Sequence, residues 1–424
     1  MNLEMARLFG FRISRLFVPR YLHILTVKAD FPLTRLGTCP ADNTPLRTLV
    51  TLVGNDGAQK IRIGCCQSCG YIGYIDTPTP QWLETYYADT WDEAQVKRKH
   101  TEREVAALSA LPGKLSPMGL SREELESLGI DKNRPILEIG GGLDRVPKGL
   151  QEIGFHNIVT VDASKHRAAT TSKAFDIDVV PYPSEHPDAQ KEFQKRAPFS
   201  LIYSSHVIEH MHNPDEVIRL CSTLQKEGDY LVFALPNVLK GVASMTLLYI
   251  SHLHDFTPFS FASMLGKHGY RVLKITNNDN KNIFVLAQKT GVRVTVSNTE
   301  KHDYFNETLE KVAAELDLGK KHESKHRLWW WLRTVIRGGT QYPLWSTWLP
   351  IQWLQYYFYS KVSFKYRFKN ELIAEFGEHM YRKNPVHCSA IMGASVRDIK
   401  KRYTDYDESP IEIQFDGNIA FFYK

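Results

Sequence analysis

The chain has 424 residues, 43% of them hydrophobic and 24% charged, which is close to globular averages and excludes a fibrous or wholly disordered protein. Its length suits two or three domains with a sizeable core in at least one. The formal net charge of +6 is small for this length and is spread unevenly.

Residues 1–34 form a basic leader. No acidic residue occurs from Met5 to Ala29, whereas Arg7, Arg12, Arg15, Arg20 and Lys28 do. The segment lacks the long apolar core and cleavage site of a secretory signal. Its pattern fits an organellar transit peptide, a helix lying on a surface, or a solvated basic face, although Pro19 interrupts any long helix.

Residues 35–80 carry turn formers, short β-like runs at 49–53 and 60–63, and four of the six cysteines: Cys39, Cys65, Cys66 and Cys69. Such clustering in a chain large enough to need no staples points to metal rather than disulfides, and to a reducing, cytoplasmic setting. Cys66-Gln-Ser-Cys69-Gly70 is a knuckle whose two thiolates can reach one tetrahedral zinc ion. Cys39-Pro40-Ala41-Asp42 looks like a partner knuckle with its second cysteine replaced. Cys39, Cys66 and Cys69 are the candidate ligands of a structural zinc, with Asp42 or Cys65 open as a fourth, the alternative being a ribbon that has lost its metal.

Helix formers dominate 81–134, a connector. From 135 to 290 short apolar runs alternate with helical segments, the signature of strand–helix units around a parallel sheet. Strands are expected at 136–139, 158–161, 201–204, 230–234, 271–277 and 283–288, and helices at 146–153, 215–224 and 259–268. The last two strands, separated by a short Asn/Asp-rich turn, suit an antiparallel hairpin. The fold class is α/β: a doubly wound, Rossmann-like sheet with a small ribbon before it and a mostly helical, aromatic-rich region, 291–424, after it.

Pro135-Ile-Leu-Glu138-Ile139-Gly140-Gly141-Gly142 runs an apolar strand into a glycine loop and a helix. Glycine lets the backbone approach a ligand closely, and a helix N-terminus offers unpaired N–H groups. About twenty residues on, the next strand ends in Asp162, placed to accept hydrogen bonds from ribose hydroxyls. A dinucleotide-binding dehydrogenase is the rival, but its fingerprint wants glycine where Arg145 stands.

On these residues the segment resembles the class I S-adenosylmethionine-dependent methyltransferases, in the branch that includes ubiquinone-biosynthesis and sugar methyltransferases. The resemblance also rests on Val161-Asp162-Ala163, on Phe199-Ser-Leu-Ile-Tyr-Ser-Ser-His206-Val-Ile-Glu209-His210-Met-His-Asn-Pro214, and on Leu231-Val-Phe-Ala-Leu-Pro-Asn237. It implies S-adenosylmethionine as cofactor, with Glu138 anchoring the loop or the methionine amino end, Gly140 and Gly142 close to the cofactor, Asp162 and Ala163 at the ribose, and Ser204 to His206 facing the methionine. Asp144 stands where the family has a third glycine and Ser200 where it has an aspartate; Glu185 and Asp188 are both candidates for the adenine contact. Relatives also carry paired knuckles, so that Asp42 or Cys65 would complete the zinc set.

Methyl transfer needs a base only when the acceptor must lose a proton. His206 and His254 are the candidates, with His252 and Asp255 beside them in Ser251-His-Leu-His-Asp-Phe-Thr-Pro-Phe. Glu209 and His210 read as helix-start residues, with Asn213 and Pro214 opening the next helix.

In the final region a helix is expected over 304–318. No charged residue occurs between Arg337 and Lys361, a stretch that includes Trp345, Trp348 and Trp353 and follows Trp329-Trp330-Trp331. Tryptophan and tyrosine suit a membrane interface, and Pro343 and Pro350 argue against a spanning helix. A peripheral membrane segment and a helical subdomain packed on the core both fit. The expected acceptor is a small molecule or glycan, lipid-linked if the membrane reading holds. Nucleic acid is disfavoured, since the basic residues cluster outside the central domain without a reading motif. The alternative from another class is a degenerate methyltransferase fold serving as a binding or assembly subunit.

Overall fold

The computed structural model describes residues 24–28, 32–54, 60–90, 102–240, 252–277, 280–298, 302–309, 411–415 and 418–422. The basic leader before residue 24, residues 91–101 of the connector and the aromatic region lie outside them. No described helix is long and apolar enough to cross a membrane.

In chain order the strands and helices are β1 (Ile24–Lys28), β2 (Leu33–Arg35), β3 (Arg47–Gly54), β4 (Lys60–Cys65), β5 (Ile72–Tyr74), β6 (Asp76–Pro78), α1 (Pro80–Thr85), α2 (Glu102–Ala110), α3 (Arg122–Ser127), β7 (Ile136–Ile139), α4 (Val146–Glu152), β8 (Ile158–Val161), α5 (Lys165–Phe175), β9 (Asp178–Val180), α6 (Pro187–Arg196), β10 (Leu201–Ser205), α7 (Pro214–Thr223), β11 (Tyr230–Pro236), β12 (His254–Asp255), α8 (Pro258–Lys267), β13 (Tyr270–Ile275), β14 (Asn282–Lys289), β15 (Ile411–Phe415) and β16 (Asn418–Phe422).

Seven strands form the central sheet in the order β13-β14-β11-β10-β7-β8-β9. The strands from β9 to β11 run parallel, and β14 is antiparallel to both of its neighbours. β7 and β8 are buried along their whole length, as parallel strands covered by helices on both faces must be. The order of β7 and β8 relative to β10 reverses direction beside β7, a topological switch point where α/β sheets open a crevice at the strand C-termini.

Helix starts are set by side chains. Ser164 accepts from Arg167 N to begin α5, Asn213 accepts from Glu216 N to begin α7 with Pro214 next, and Thr257 and Ser260 form a reciprocal capping box on α8. The expected opening of α7 by Asn213 and Pro214 is what the structure shows.

The cysteine segment builds a second sheet, in the order β12-β5-β4-β3-β15. β12 comes from the loop between β11 and α8, so the central domain lends a strand to the ribbon: His254 pairs with Gly73 and Asp255 with Ile72. The side-chain packing is shared as well. Cys39, Cys66, Cys69 and Tyr71 belong to the same buried cluster as Leu137, Ile202, Phe233, Phe256 and Phe261.

Candidate active site

The glycine loop leaves β7 with Gly140 and Gly142 at φ of 76° and 55°, a region that costs a side-chain-bearing residue about 1–2 kcal/mol. At Gly140 there is also no room: an added Cβ would lie 2.3 Å from Val207 Cγ2, and at Gly141 one would lie 2.4 Å from Glu138 Oε2. The loop is thus clamped between the segment that follows β10 and the carboxyl beneath it.

Asp162 ends β8 with its side chain buried. One carboxylate oxygen accepts from Gly142 N at 3.0 Å and the other from Ser164 N at 2.8 Å, with Arg167 Nη2 3.4 Å away. The residue expected at the ribose therefore also fixes the glycine loop, and Ala163 beside it is half-buried. Ser204, expected to face the methionine, instead donates from its buried hydroxyl to Ile139 O at 2.9 Å and ties β10 to the last residue before the loop.

Glu138 lies under the loop, accepting from Thr160 Oγ1 at 2.6 Å. Burial, reinforced by the charge of Asp144, pushes its carboxyl up to about 8, so near neutrality it is mostly a neutral acid. Asp144, at the position of the missing third glycine, accepts at 2.6 Å from the N–H of Val146, the first residue of α4. Ser200 donates toward the carbonyls of Asp131 and Pro135. Both departures from the family pattern have local structural roles.

The two adenine candidates have partners of their own. Glu185 accepts from the backbone N–H groups of His212 and Asn213 and fixes the entry to α7. Asp188 is exposed and pairs with Lys191.

The two base candidates part company. His206 follows β10 with φ of 54°, a strained backbone for a non-glycine residue of the kind that gathers at functional sites, and its ring is 46% exposed. His254 is buried in the seam between ribbon and central sheet. Its Nδ1 is hydrogen-bonded to Tyr71 Oη and its Nε2 to Met211 O at 2.9 Å. Burial lowers its pKa to about 4, so it is neutral at physiological pH, with both nitrogens committed to holding the two sheets together.

Glu209 and His210, read from sequence as helix-start residues, form a short 3-10 turn with Ile208 that is separate from α7. Glu209 is 1% exposed, and His206 Nδ1 and His210 Nε2 lie 3.4 and 3.9 Å from its Oε1. The His210 and His252 rings meet edge-to-face at 4.5 Å. Burial alone would raise the Glu209 carboxyl, but the surrounding imidazoles, His206 foremost, outweigh it and bring the pKa down to about 2. Sequence reading missed this cluster because His252 comes from a loop 42 residues beyond His210; the available signal was three titratable residues, His206, Glu209 and His210, directly after a strand that ends at the cofactor crevice.

Three of the four expected zinc ligands converge. Cys39, Cys66 and Cys69 are buried with sulfurs within 4.8 Å of one another, Cys39 Sγ and Cys69 Sγ are 3.5 Å apart, and Asp42 Oδ2 lies 3.8 Å from Cys66 Sγ. Cys65 points elsewhere, toward Cys66 O, and the exposed Asp42 accepts from Thr44 and Ser68 outside the group of three sulfurs. The thiols share charge unequally: Cys39 is driven far up and Cys66 far down, chiefly by their bond to each other. Three soft sulfur donors suit zinc. The knuckle is gripped from outside the ribbon, with Thr257 Oγ1 of the central domain donating to Cys69 O at 2.9 Å and Thr308 Oγ1, from the region that follows it, to Gly70 O at 3.1 Å.

Residues 116–275 match a family model described as a methyltransferase domain. No curated protein sequence matches the chain. Among solved structures, the CcbJ methyltransferase from Streptomyces caelestis is 12% identical, over 43% of this chain and 92% of that one, with a TM-score of 0.33. A 1,6-didemethyltoxoflavin-N1-methyltransferase from Burkholderia thailandensis, solved with S-adenosylhomocysteine, is 14% identical over 55% and 96%, with a TM-score of 0.34. An S-adenosylmethionine-dependent methyltransferase from Clostridium acetobutylicum is 10% identical over 48% and 97%, also at 0.34. With the glycine loop, Asp162 and this sheet order in place, residues 116–275 of the chain are a methyltransferase domain.

Proposed function

We propose that the chain transfers the methyl group of S-adenosylmethionine to a hydroxyl of a small molecule or saccharide. The observation that carries this reading is the clamp of Gly142 on Asp162 beside the open end of β10, because a loop held in that way presents backbone to a nucleoside and leaves the following segment, from His206 on, for the acceptor.

The reaction is an in-line displacement. The acceptor oxygen forms a bond to the methyl carbon as the carbon–sulfur bond breaks, the sulfonium becomes a thioether, and the acceptor proton leaves to a base. Much of the rate comes from holding the two reactants in line. His206 is the best-placed base: it is accessible, it follows the strand that ends at the crevice, and the buried carboxylate of Glu209 stabilises the imidazolium that it would become. His254 serves instead as a positioning residue in the seam. In the ribbon, Cys39, Cys66 and Cys69 hold a structural zinc.

Isothermal titration of the full chain with S-adenosylhomocysteine tests the cofactor half. Absence of binding at millimolar ligand would refute the reading and favour a degenerate fold acting as an assembly subunit. Metal analysis tests the ribbon: about one equivalent of zinc per chain is expected, and less than a tenth of an equivalent would sink it. The lipid-linked version of the acceptor rests on the aromatic region alone, and protein that stays wholly at the bottom in flotation with anionic vesicles would end it.

A further inference from the structure

Beside the crevice, Glu209, His210 and His252 each offer one ligand atom, and the three atoms lie within 4.8 Å of one another. We propose that these three residues bind a divalent transition-metal ion, distinct from the ribbon zinc, which holds and polarises the oxygen of the methyl acceptor. The proposal rests on the methyl-transfer reading above and deepens it.

Glu209 carries most of the case. Its carboxylate is 1% exposed, and among the described residues neither oxygen has a hydrogen-bond partner that meets the geometric criteria; His206 Nδ1 approaches to 3.4 Å. A buried carboxyl group left without hydrogen bonds is costly, and a cation held there compensates it. Elsewhere in this domain buried carboxylates are well partnered: Asp162 has two backbone donors, and Asp229 takes Arg134 at 2.6 and 2.7 Å. Glu209 instead faces imidazoles.

The geometry suits coordination. Donor atoms bound to one ion at about 2.0–2.2 Å stand roughly 3–3.5 Å apart. The 3.9 Å between His210 Nε2 and Glu209 Oε1 is within a few tenths of an ångström of that spacing. His252 is brought to the pair by backbone, since Leu253 N donates to Glu209 O at 2.9 Å. Two imidazoles and a carboxylate select borderline ions such as zinc, cobalt, nickel or iron(II) over magnesium or calcium, and three protein ligands leave positions open.

The location gives the site a use. Val207, between His206 and the Ile208–His210 turn, is the residue that packs on Gly140, so an ion held by this turn sits on the acceptor side of the glycine loop. An acceptor hydroxyl bound there would have its pKa lowered by the ion's charge, and His206 would take the proton that is released.

The test uses full-length protein stripped of metal and titrated with cobalt(II), followed by absorption, with S-adenosylhomocysteine binding measured on the same samples. Wild type is expected to take up two classes of cobalt. One shows thiolate charge-transfer bands from the ribbon, and the other shows ligand-field bands alone. Glu209→Gln and His252→Gln should each lose the second class, with affinity down at least tenfold, and keep the first. If Glu209→Gln fails to fold, His252→Gln still decides. The proposal is overturned if wild type shows only thiolate bands at millimolar cobalt, which would leave Glu209 as the partner of protonated histidines, or if the second class persists unchanged in both variants. Loss of S-adenosylhomocysteine binding in wild type is read separately by calorimetry and refutes the methyl-transfer reading rather than the metal site.

Discussion

Replacing Glu138 by glutamine should flatten the dependence of stability on pH above neutrality. The carboxyl is buried under the glycine loop and titrates at about 8 in the folded chain, against about 4.3 in an unfolded one. Between those values the folded state binds the extra proton, so the stability that it contributes is fully present below the unfolded pKa and is lost as pH rises through 8. At about 1.36 kcal/mol per unit, raising the pH from 6 to 9 removes about 2–3 kcal/mol from the wild type through this group. Glutamine keeps an acceptor for Thr160 Oγ1 and does not titrate. Asp144, Asp162 and Tyr203 face the same carboxyl and remain in both proteins, so the comparison isolates residue 138. Urea unfolding of both proteins at pH 6 and pH 9 gives the measurement: the wild type should lose about 2–3 kcal/mol more than the variant, and equal losses would refute the buried neutral acid. The same pair separates the two roles considered for Glu138. If it meets the methionine ammonium, cofactor binding ionises it, and affinity for S-adenosylhomocysteine rises from pH 6 to 8 in the wild type only; if it merely anchors the loop, both proteins show the same trend.

Gly140→Ala combines a φ of 76° with a Cβ 2.3 Å from Val207, and should weaken S-adenosylhomocysteine binding by calorimetry at least tenfold, given about 1–2 kcal/mol for the dihedral alone; unchanged affinity would mean that the loop is not the cofactor's cradle. Asp162→Asn replaces one of two acceptor oxygens by a donor that faces a backbone N–H, and a loss of about 1.5–3 kcal/mol in the same binding assay is expected for hydrogen bonds to a charged group. Tyr71→Phe strips the hydroxyl from His254 Nδ1 and should cost about 1–3 kcal/mol of unfolding free energy; a variant as stable as wild type would show that the seam does not depend on this bond.

Much of the domain was written locally. The strands expected at 136–139 and 158–161 match the observed bounds, and the hairpin of β13 and β14 was signalled by its Asn/Asp-rich turn. What escaped were α5, β9 and α6. In α5 the segment Lys-His-Arg-Ala-Ala-Thr-Thr-Ser-Lys-Ala-Phe buries Thr170 and Thr171 along with Ala168, Ala174 and Phe175, so its inward face is too polar to read as an apolar stripe. β9 has three residues and an exposed first one, below the length at which alternation is a signal. In the site, Gly140, Gly142 and Asp162 were legible because loop, strand end and spacing lie within one strand–helix–strand unit. Ser204, Glu185 and His254 were harder, since each depends on which neighbour a topology of long crossovers supplies.

His254 shows what that topology does with the ribbon. A histidine in the loop between β11 and α8 lies close to the acceptor side, and residue type alone favours a base. Pairing with Gly73 turns that loop into the edge strand of the ribbon sheet, so the side chain meets Tyr71 rather than solvent. From the same loop, His252 meets the Glu209 turn and Thr257 holds the Cys69 carbonyl. Six residues thus join three things: the turn beside the glycine loop, the ribbon sheet and the knuckle. A zinc ion that fixes Cys66 and Cys69 would fix the Cys69 carbonyl, hence the capping box of α8, hence the loop that carries His252. On this geometry the ribbon is a brace for the acceptor side of the active site, and loosening the knuckle with Cys66→Ser should weaken cobalt binding at Glu209, His210 and His252 before it weakens S-adenosylhomocysteine binding at Asp162, which is tied to its own strand and loop instead.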